Sequence, residues 1–266
     1  MQLQHTLCAD GVRIAYALHG NADAKHRFVL IHSLAMDHSF WDPVVAELGA
    51  DAAVAALDAR GHGQSDKPAG PYRLDTFADD VARVLDAIGW ERAVVGGASM
   101  GGCVALAFGI RHPARTAGLG LFDTTAWYGA TAPADWEGRG QKAVQEGLAS
   151  LIAFQETRWF TDDFRRDHPA IVEHSKRIFL ANDVPAYLET CRMLGNTDLR
   201  PGMSGIVAPT RILVGEEDYA TPVAMAQALA DAIAGSTLRI LPRARHLSPL
   251  EYPREVAENL LALARA

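Results

Sequence analysis

The stretch AVVGGASMGGCVALAFGI, residues 93–110, decides how the rest of the chain reads. A β-rich apolar run (Ala93–Val95) leads into Gly96-Gly97, and Gly97, Ser99 and Gly101 complete the pattern G-x-S-x-G. An apolar helical stretch, Cys103–Ile110, follows. Strand, tight turn and helix in this order describe a nucleophile elbow. The glycines are needed because the chain reverses so sharply that side chains on either side of Ser99 would strike neighbouring backbone. The turn leaves a serine hydroxyl above the strand end at a helix N-terminus, where the helix dipole favours developing negative charge.

Outward from this turn, similar apolar runs recur at Arg27–Ile31, Ala52–Leu57, Ala117–Phe122, Arg211–Val214 and Thr237–Leu241. Helical patterns separate them: Phe40–Leu48, Leu74–Ile88 with apolar residues at helical spacing, and Pro253–Ala264. Strands alternating with helices predict an α/β fold whose mostly parallel sheet has helices on both faces. Gln2–Cys8 and Val12–Leu18 alternate around Asp10-Gly11 and predict an antiparallel hairpin at the sheet edge. Residues 125–204 break the rhythm: they show only helical periodicity, as in Gln141–Thr157 and Pro185–Leu194, and hold Trp127, Trp136 and Trp159. The predicted organisation is a core of residues 1–124 and 205–266 with an all-helical cap, 125–204, inserted between two strands.

The composition narrows the function. Of 266 residues, 49% are hydrophobic and 21% charged, which excludes a disordered chain. A net charge of −7 without a basic run argues against nucleic acid or an anionic membrane surface as partner. No apolar run approaches the ~20 residues that span a bilayer, and Met1–His5 lacks the basic start of a signal peptide. Cys8, Cys103 and Cys191 are an odd, scattered set, read as reduced thiols of a cytoplasmic protein. No His/Cys/Asp cluster has metal spacing, and neither a Walker motif nor GxGxxG follows the first parallel strand, so no metal and no cofactor is expected.

A serine nucleophile needs a base and an orienting acid. Among ten histidines, His246 lies in a loop between the last strand and the last helix, able to hang over the strand ends. Asp218, in Gly215-Glu216-Glu217-Asp218, follows the Arg211–Val214 strand. The order Ser99, Asp218, His246 is then that of a serine hydrolase triad. Asp123, directly after Ala117–Phe122, is a rival acid. Two backbone N–H groups suit an oxyanion: that of Met100, after the serine, and that of Leu34, after the Arg27–Ile31 strand. Asp58–Asp66, dense in polar residues, reads as a glycine-rich loop held by an Asp/Arg/Ser hydrogen-bond network beneath the site, and His32 and His62 as structural histidines.

His32-Ser33-Leu34, Asp58-Ala59-Arg60-Gly61-His62-Gly63-Gln64-Ser65, the Gly97–Gly102 elbow, Gly215–Asp218 and His246 together resemble the α/β-hydrolase family over nearly the whole chain. Within it, the chain looks most like the 3-oxoadipate enol-lactonases. Ser33-Leu34 follows His32 where most relatives read His-Gly, Asp123-Thr124-Thr125 enters the cap, Arg158-Trp159-Phe160 lies inside it, and Cys191 and Asp198-Leu199 mark its exit. Ala35 stands where glycine commonly follows the leucine, and Ala98 where leucine commonly precedes the nucleophile. The resemblance implies hydrolysis of a small-molecule lactone or ester through an acyl-enzyme, in the breakdown of aromatic compounds. A general carboxylesterase or a perhydrolase is the alternative, a non-catalytic ligand receptor on the same fold is a further one, and self-association into a homo-oligomer stays open.

An enol-lactone of this kind carries a free carboxylate, which calls for a cation in its pocket. The cap as a whole has nine Lys/Arg against eleven Asp/Glu, so recognition has to come from one or two inward-facing residues. Arg139 and Arg158 are the candidates for the carboxylate, Trp127 and Trp159 for the apolar walls, and Ser33 for a hydroxyl beside the oxyanion loop.

Overall fold

The computed structural model describes residues 3–21 and 23–266. Met1 and Gln2, where the leaderless N-terminus and the first hairpin strand were expected to begin, lie outside the described residues. Among the described residues eight strands form one sheet: β1 (Gln4–Leu7), β2 (Arg13–His19), β3 (His26–Ile31), β4 (Ala52–Leu57), β5 (Ala93–Ala98), β6 (Thr116–Phe122), β7 (Thr210–Gly215) and β8 (Thr237–Leu241). Their spatial order is β1-β2-β4-β3-β5-β6-β7-β8. The β1–β2 and β2–β4 pairs are antiparallel, and all others are parallel. Every residue of β4 and β5 is buried, as their unbroken apolar runs require of strands covered on both faces.

After β3 the chain adds β4 on one side, then returns to place β5 on the other. The order reverses between β3 and β5, and a crevice opens beyond their C-terminal ends, where ligands bind in such sheets. Leu34 follows β3 and Ser99 follows β5, so both stand at this opening.

The covering helices are α1 (Asp42–Leu48), α2 (Leu74–Ala87) and α3 (Met100–Arg111). A cap then runs through α4 (Ala132–Glu146), α5 (Ile152–Trp159), α6 (Asp162–Asp167), α7 (Pro169–Leu180) and α8 (Val184–Gly195) between β6 and β7. The chain closes with α9 (Val223–Ala232), the short α10 (Ser248–Glu251) and α11 (Pro253–Ala264). Successive residues of β5 show the layering. A Cβ on Gly96 would meet Leu260 of α11, and one on Gly97 would meet the backbone of Gly101 in α3. The two helices therefore cover opposite faces.

Two local expectations are corrected. The strand Ala93–Val95 continues through Gly96, Gly97 and Ala98, because these glycines sit in the ladder where neighbouring side chains and α3 leave no room for a Cβ. The predicted helix Gln141–Thr157 is two helices. Gly147 takes φ 78°, a left-handed conformation that ends α4, and a 3-10 turn, Leu148–Leu151, separates it from α5. The cap contains no strand among the described residues. A single β-bridge, Trp127 to Asp198, joins its entry to its exit.

Candidate active site

Ser99 has φ 52° and ψ −114°, a conformation that side chains avoid and that costs about 1–3 kcal/mol. The surroundings leave no alternative. A Cβ on Gly97 would run into the carbonyl of Gly101, and one on Gly101 into the carbonyl of Ile31. The turn brings Ser99 to the head of α3, where the first amide, that of Met100, has no carbonyl within the helix to bond.

The serine Oγ lies 2.9 Å from His246 Nε2, and His246 Nδ1 lies 2.8 Å from Asp218 Oδ2. Asp218 is buried and richly bonded. Oδ1 accepts from the N–H groups of Ala220 (2.8 Å) and Thr221 (2.9 Å), and Oδ2 also accepts from the Thr221 hydroxyl. Burial works against its charge, but the histidine and these donors outweigh it and hold the carboxyl below the usual carboxylate range. An ionised Asp218 fixes the Nδ1–H tautomer and leaves Nε2 free to accept the serine proton.

Asp123, the first residue after β6, takes φ 48°, yet it does not reach the imidazole. Its Oδ1 accepts from the N–H of Gly215 (3.1 Å) and its Oδ2 from that of Ser248 (2.8 Å), which ties the loops carrying Asp218 and His246 together. Complete burial and the charge of Asp218 push its carboxyl well above the usual range, against the pull of those two N–H groups.

The Asp58–Asp66 loop is held by a hydrogen-bond network of Asp, Arg and Ser groups that also ties it to neighbouring segments. Asp58 accepts from the amides of His38 (2.6 Å) and Gln64 (2.7 Å), and Arg60 pairs with Asp80 (2.7 Å). His32 and His62 are buried with ring centroids 5.0 Å apart. Desolvation, then each ring's neighbour, holds His62 down to about 3.

A cavity of about 580 Å³ opens on Ser99 and His246. Its walls include Ser33, Leu34, Arg139, Arg158 and Trp159, as expected. The Met100 side chain is fully buried and is not part of the cavity wall. Ala35 has φ 59°, which explains why glycine suits that position, and it turns the chain just after Leu34. Trp127 is a correction: it is not part of the cavity wall. Its ring lies under the Arg200 guanidinium, 3.7 Å away, beside the Trp127–Asp198 bridge that joins the cap's entry to its exit.

The arginines face the cavity without carboxylate partners. Arg139 Nε donates to Tyr187 OH (2.8 Å), and its guanidinium stands 4.9 Å from the Trp136 ring. Arg158 lies over Phe154 at 4.5 Å. Burial and then the charge of Arg139 hold its basicity below that of a free arginine. Neither makes an ion pair among the described residues, whereas Lys142, also on the wall, has Glu146 at 3.8 Å. Arg158 has a second role through its backbone: its carbonyl accepts from the N–H of His246 (3.3 Å), and the Trp159 carbonyl accepts from that of Leu247 (3.1 Å). The cap segment that lines the cavity thus also supports the histidine loop.

Residues that the sequence did not single out are Tyr128, Gln155, Thr221 and Met225, all on the cavity wall. For Gln155 the signal was available: it stands one helical turn before Arg158. The three cysteines are buried and free, and among the described residues no helix is long and apolar enough to cross a membrane.

Comparison with known proteins agrees with this architecture. The chain is 34% identical over 249 residues to 3-oxoadipate enol-lactonase 2 of Acinetobacter baylyi, covering 94% of this chain and 92% of that protein. It superposes with a TM-score of 0.93 and 32% identity on the crystal structure of the enol-lactonase from Burkholderia xenovorans LB400, over 99% of this chain and 100% of the other. A thermophilic esterase from Thermogutta terrifontis, with malate bound, gives a TM-score of 0.90 at 26% identity over 100% of this chain and 98% of that one. Residues 26–253 match the family described as alpha/beta hydrolase fold. With the sheet order, the elbow and this match over most of its length, the chain belongs to the alpha/beta hydrolase fold family.

Proposed function

We propose that the protein is a carboxylic ester hydrolase that opens a lactone through an acyl-enzyme, with a carboxylate-bearing enol-lactone of the 3-oxoadipate type as its substrate. One observation carries this reading: the hydrogen-bonded line Ser99–His246–Asp218 opens onto a cavity whose wall holds two arginines without carboxylate partners. In this scheme Ser99 Oγ attacks the lactone carbonyl while His246 Nε2 takes its proton. Asp218 keeps the imidazole oriented and stabilises its cation. The N–H groups of Leu34 and Met100 receive the oxyanion. Collapse of the tetrahedral intermediate breaks the ring C–O bond, and His246 returns the proton to the leaving oxygen. Because the substrate is cyclic, the leaving group stays attached to the acyl chain. Water activated by His246 then cleaves the Ser99 ester and restores the hydroxyl.

The core, 1–124 and 205–266, supplies the chemistry, and the cap, 125–204, selects the substrate. Arg139 and Arg158 would hold the carboxylate, a charge-assisted contact in a partly dry site. Trp159 and Ser33 would shape the wall beside it. Similarity to two proteins named enol-lactonases supports the lactone, and the malate on the esterase structure is a small dicarboxylate in a protein of the same shape. The size of the cavity, about 580 Å³, favours a second reading, a carboxylesterase of wider scope, because it is roomier than one small lactone requires. The deciding measurement is kcat/KM over an enol-lactone acid, its methyl ester and an open-chain ester of the same acid. The lactone acid is expected to lead. Equal rates for all three would make the general esterase the better description.

A further inference from the structure

Gln155 is only 3% exposed and lines the cavity with Ser99 and His246. Its Nε2 is fully enclosed and has no hydrogen-bond partner, and no side-chain hydrogen bond of Gln155 exists among the described residues. Such a group is expensive to keep. Burying an amide without partners forfeits its bonds to water and gains nothing in return. An apolar side chain of similar size would fill the same place without that penalty. The half-buried cap amide of Asn182, by contrast, is satisfied: its Nδ2 donates to the carbonyl of Ala35 at 2.9 Å. Several other buried side chains also hold an unpaired polar atom, but among the described residues Gln155 is the one of them that lines this cavity, where a partner from outside the chain can reach it.

Its position says what that partner is. Gln155 and Arg158 lie three residues apart on α5, on the same face, so their side chains reach one region of the cavity. The charge of Arg139 is felt at Arg158 across that region. A guanidinium supplies charge and donors, and a neutral amide adds a directional N–H for the second oxygen of the same anion. A half-turn about the terminal torsion of Gln155 presents either amide edge, so the NH₂ can meet a ligand oxygen.

We infer that Gln155 is a specificity-determining residue of this site, which donates an amide N–H to a carboxylate of the ligand held by Arg158 and Arg139. This rests on the carboxylate reading proposed above and adds a residue to it. It also accounts for an unpaired polar group that packing alone does not explain.

The test uses glutarate as a competitive inhibitor of the wild-type enzyme and of Gln155→Leu and Gln155→Met, with a chromogenic neutral ester as reporter. Both variants should raise the Ki for glutarate by about tenfold or more, the effect expected for one lost charge-assisted hydrogen bond. Both should also raise the melting temperature of the unliganded protein by on the order of a few degrees, since an unsatisfied amide is replaced by an apolar group. A purely structural glutamine would lower the melting temperature and leave the Ki unmoved, and that pair of results would overturn the inference. If Leu disturbs the packing, Met keeps the length and flexibility of the side chain and serves as the second reading. Failure of glutarate to inhibit even the wild-type enzyme would instead strike the carboxylate reading itself. Inhibition of wild type with an unchanged Ki in both variants would remove Gln155 alone.

Discussion

Asp123 and Asp218 lie in the loops that follow neighbouring strands, β6 and β7, but only Asp218 touches His246, at 2.8 Å. Asp123 uses both oxygens to hold the amides of Gly215 and Ser248. The two carboxyls repel each other through a buried region, which raises Asp123, while the histidine and the amides of the 218–221 turn keep Asp218 charged. One aspartate contacts the imidazole, and the other holds together the loops that carry Asp218 and His246.

Different costs should follow from replacing them. Asp218→Asn is expected to lower kcat by about 10³–10⁴, because the amide favours the wrong imidazole tautomer. Asp123→Asn should cost less in kcat and more in melting temperature, since it loosens two loops without touching the ring. Steady-state kinetics and thermal unfolding of both variants decide the matter, and a reversed order in kcat would make Asp123 the acid.

Covalent catalysis at Ser99 is directly accessible. Ser99→Ala should lose on the order of 10⁶ in kcat, as removal of a triad nucleophile can, and should relieve the strained φ of 52° only in part, since alanine shares the Cβ that dislikes it. A fluorophosphonate should add once to the wild-type protein, and peptide mass spectrometry should locate it on Ser99. Labelling at another residue would refute the nucleophile.

In the proposed reading, carboxylate selection depends on Arg139 and Arg158. The wild-type enzyme should prefer an enol-lactone acid over its methyl ester by at least about tenfold in kcat/KM, corresponding to ~1.4 kcal/mol. Arg139→Ala and Arg158→Ala should each bring that ratio toward one. Because the Arg158 carbonyl also supports His246, any residue at 158 keeps that bond, so the side-chain change reports on recognition. A ratio that survives both substitutions would place the anion elsewhere.

Acid stability should bear the mark of the buried histidines. The His62 imidazole is held down to about 3 by burial and by His32, which is itself lowered by burial. In the unfolded chain both titrate near 6.5. Above that pH neither form is charged and the pair contributes no pH dependence. Between 6.5 and about 3 the unfolded chain binds protons that the folded chain refuses, so stability falls as pH falls, by up to ~1.4 kcal/mol per pH unit per group. His38, raised by Asp58, acts oppositely: its contribution is fully present below 6.5 and is lost as pH rises through its folded value. Urea unfolding from pH 7 to pH 5 should therefore show a shallower acid slope for His62→Gln than for wild type, by about one proton. An identical slope would mean that His62 is protonated in the folded protein.

Much of the layout was legible because it is written locally. Glycines on either side of Ser99 can only mean a turn too tight for side chains, and Ala52–Leu57 can only be a strand buried on both faces. Helical phase in the cap was legible too, but its interruption at Gly147 was not, because an apolar repeat continues across a residue whose backbone leaves the helix. The facing of a cap side chain lay further beyond reach. Trp127 and Trp159 have equal claims in the sequence, yet one is covered by Arg200 and the other lies on the cavity wall.

The α/β class, the elbow and the order in which Ser99, Asp218 and His246 arrive are readable along the chain, since strand and helix periods and turn chemistry act over a few residues. That His246 meets Asp218 and not Asp123, that Arg139 and Arg158 are left without carboxylate partners, and that Gln155 is buried beside them with an unpaired Nε2 follows from packing in three dimensions. Those facts depend on how the cap seats on the strand ends, which brings together side chains far apart in the chain. Hydrogen bonds and desolvation act through space at a few ångströms, and no local pattern in the sequence records that distance.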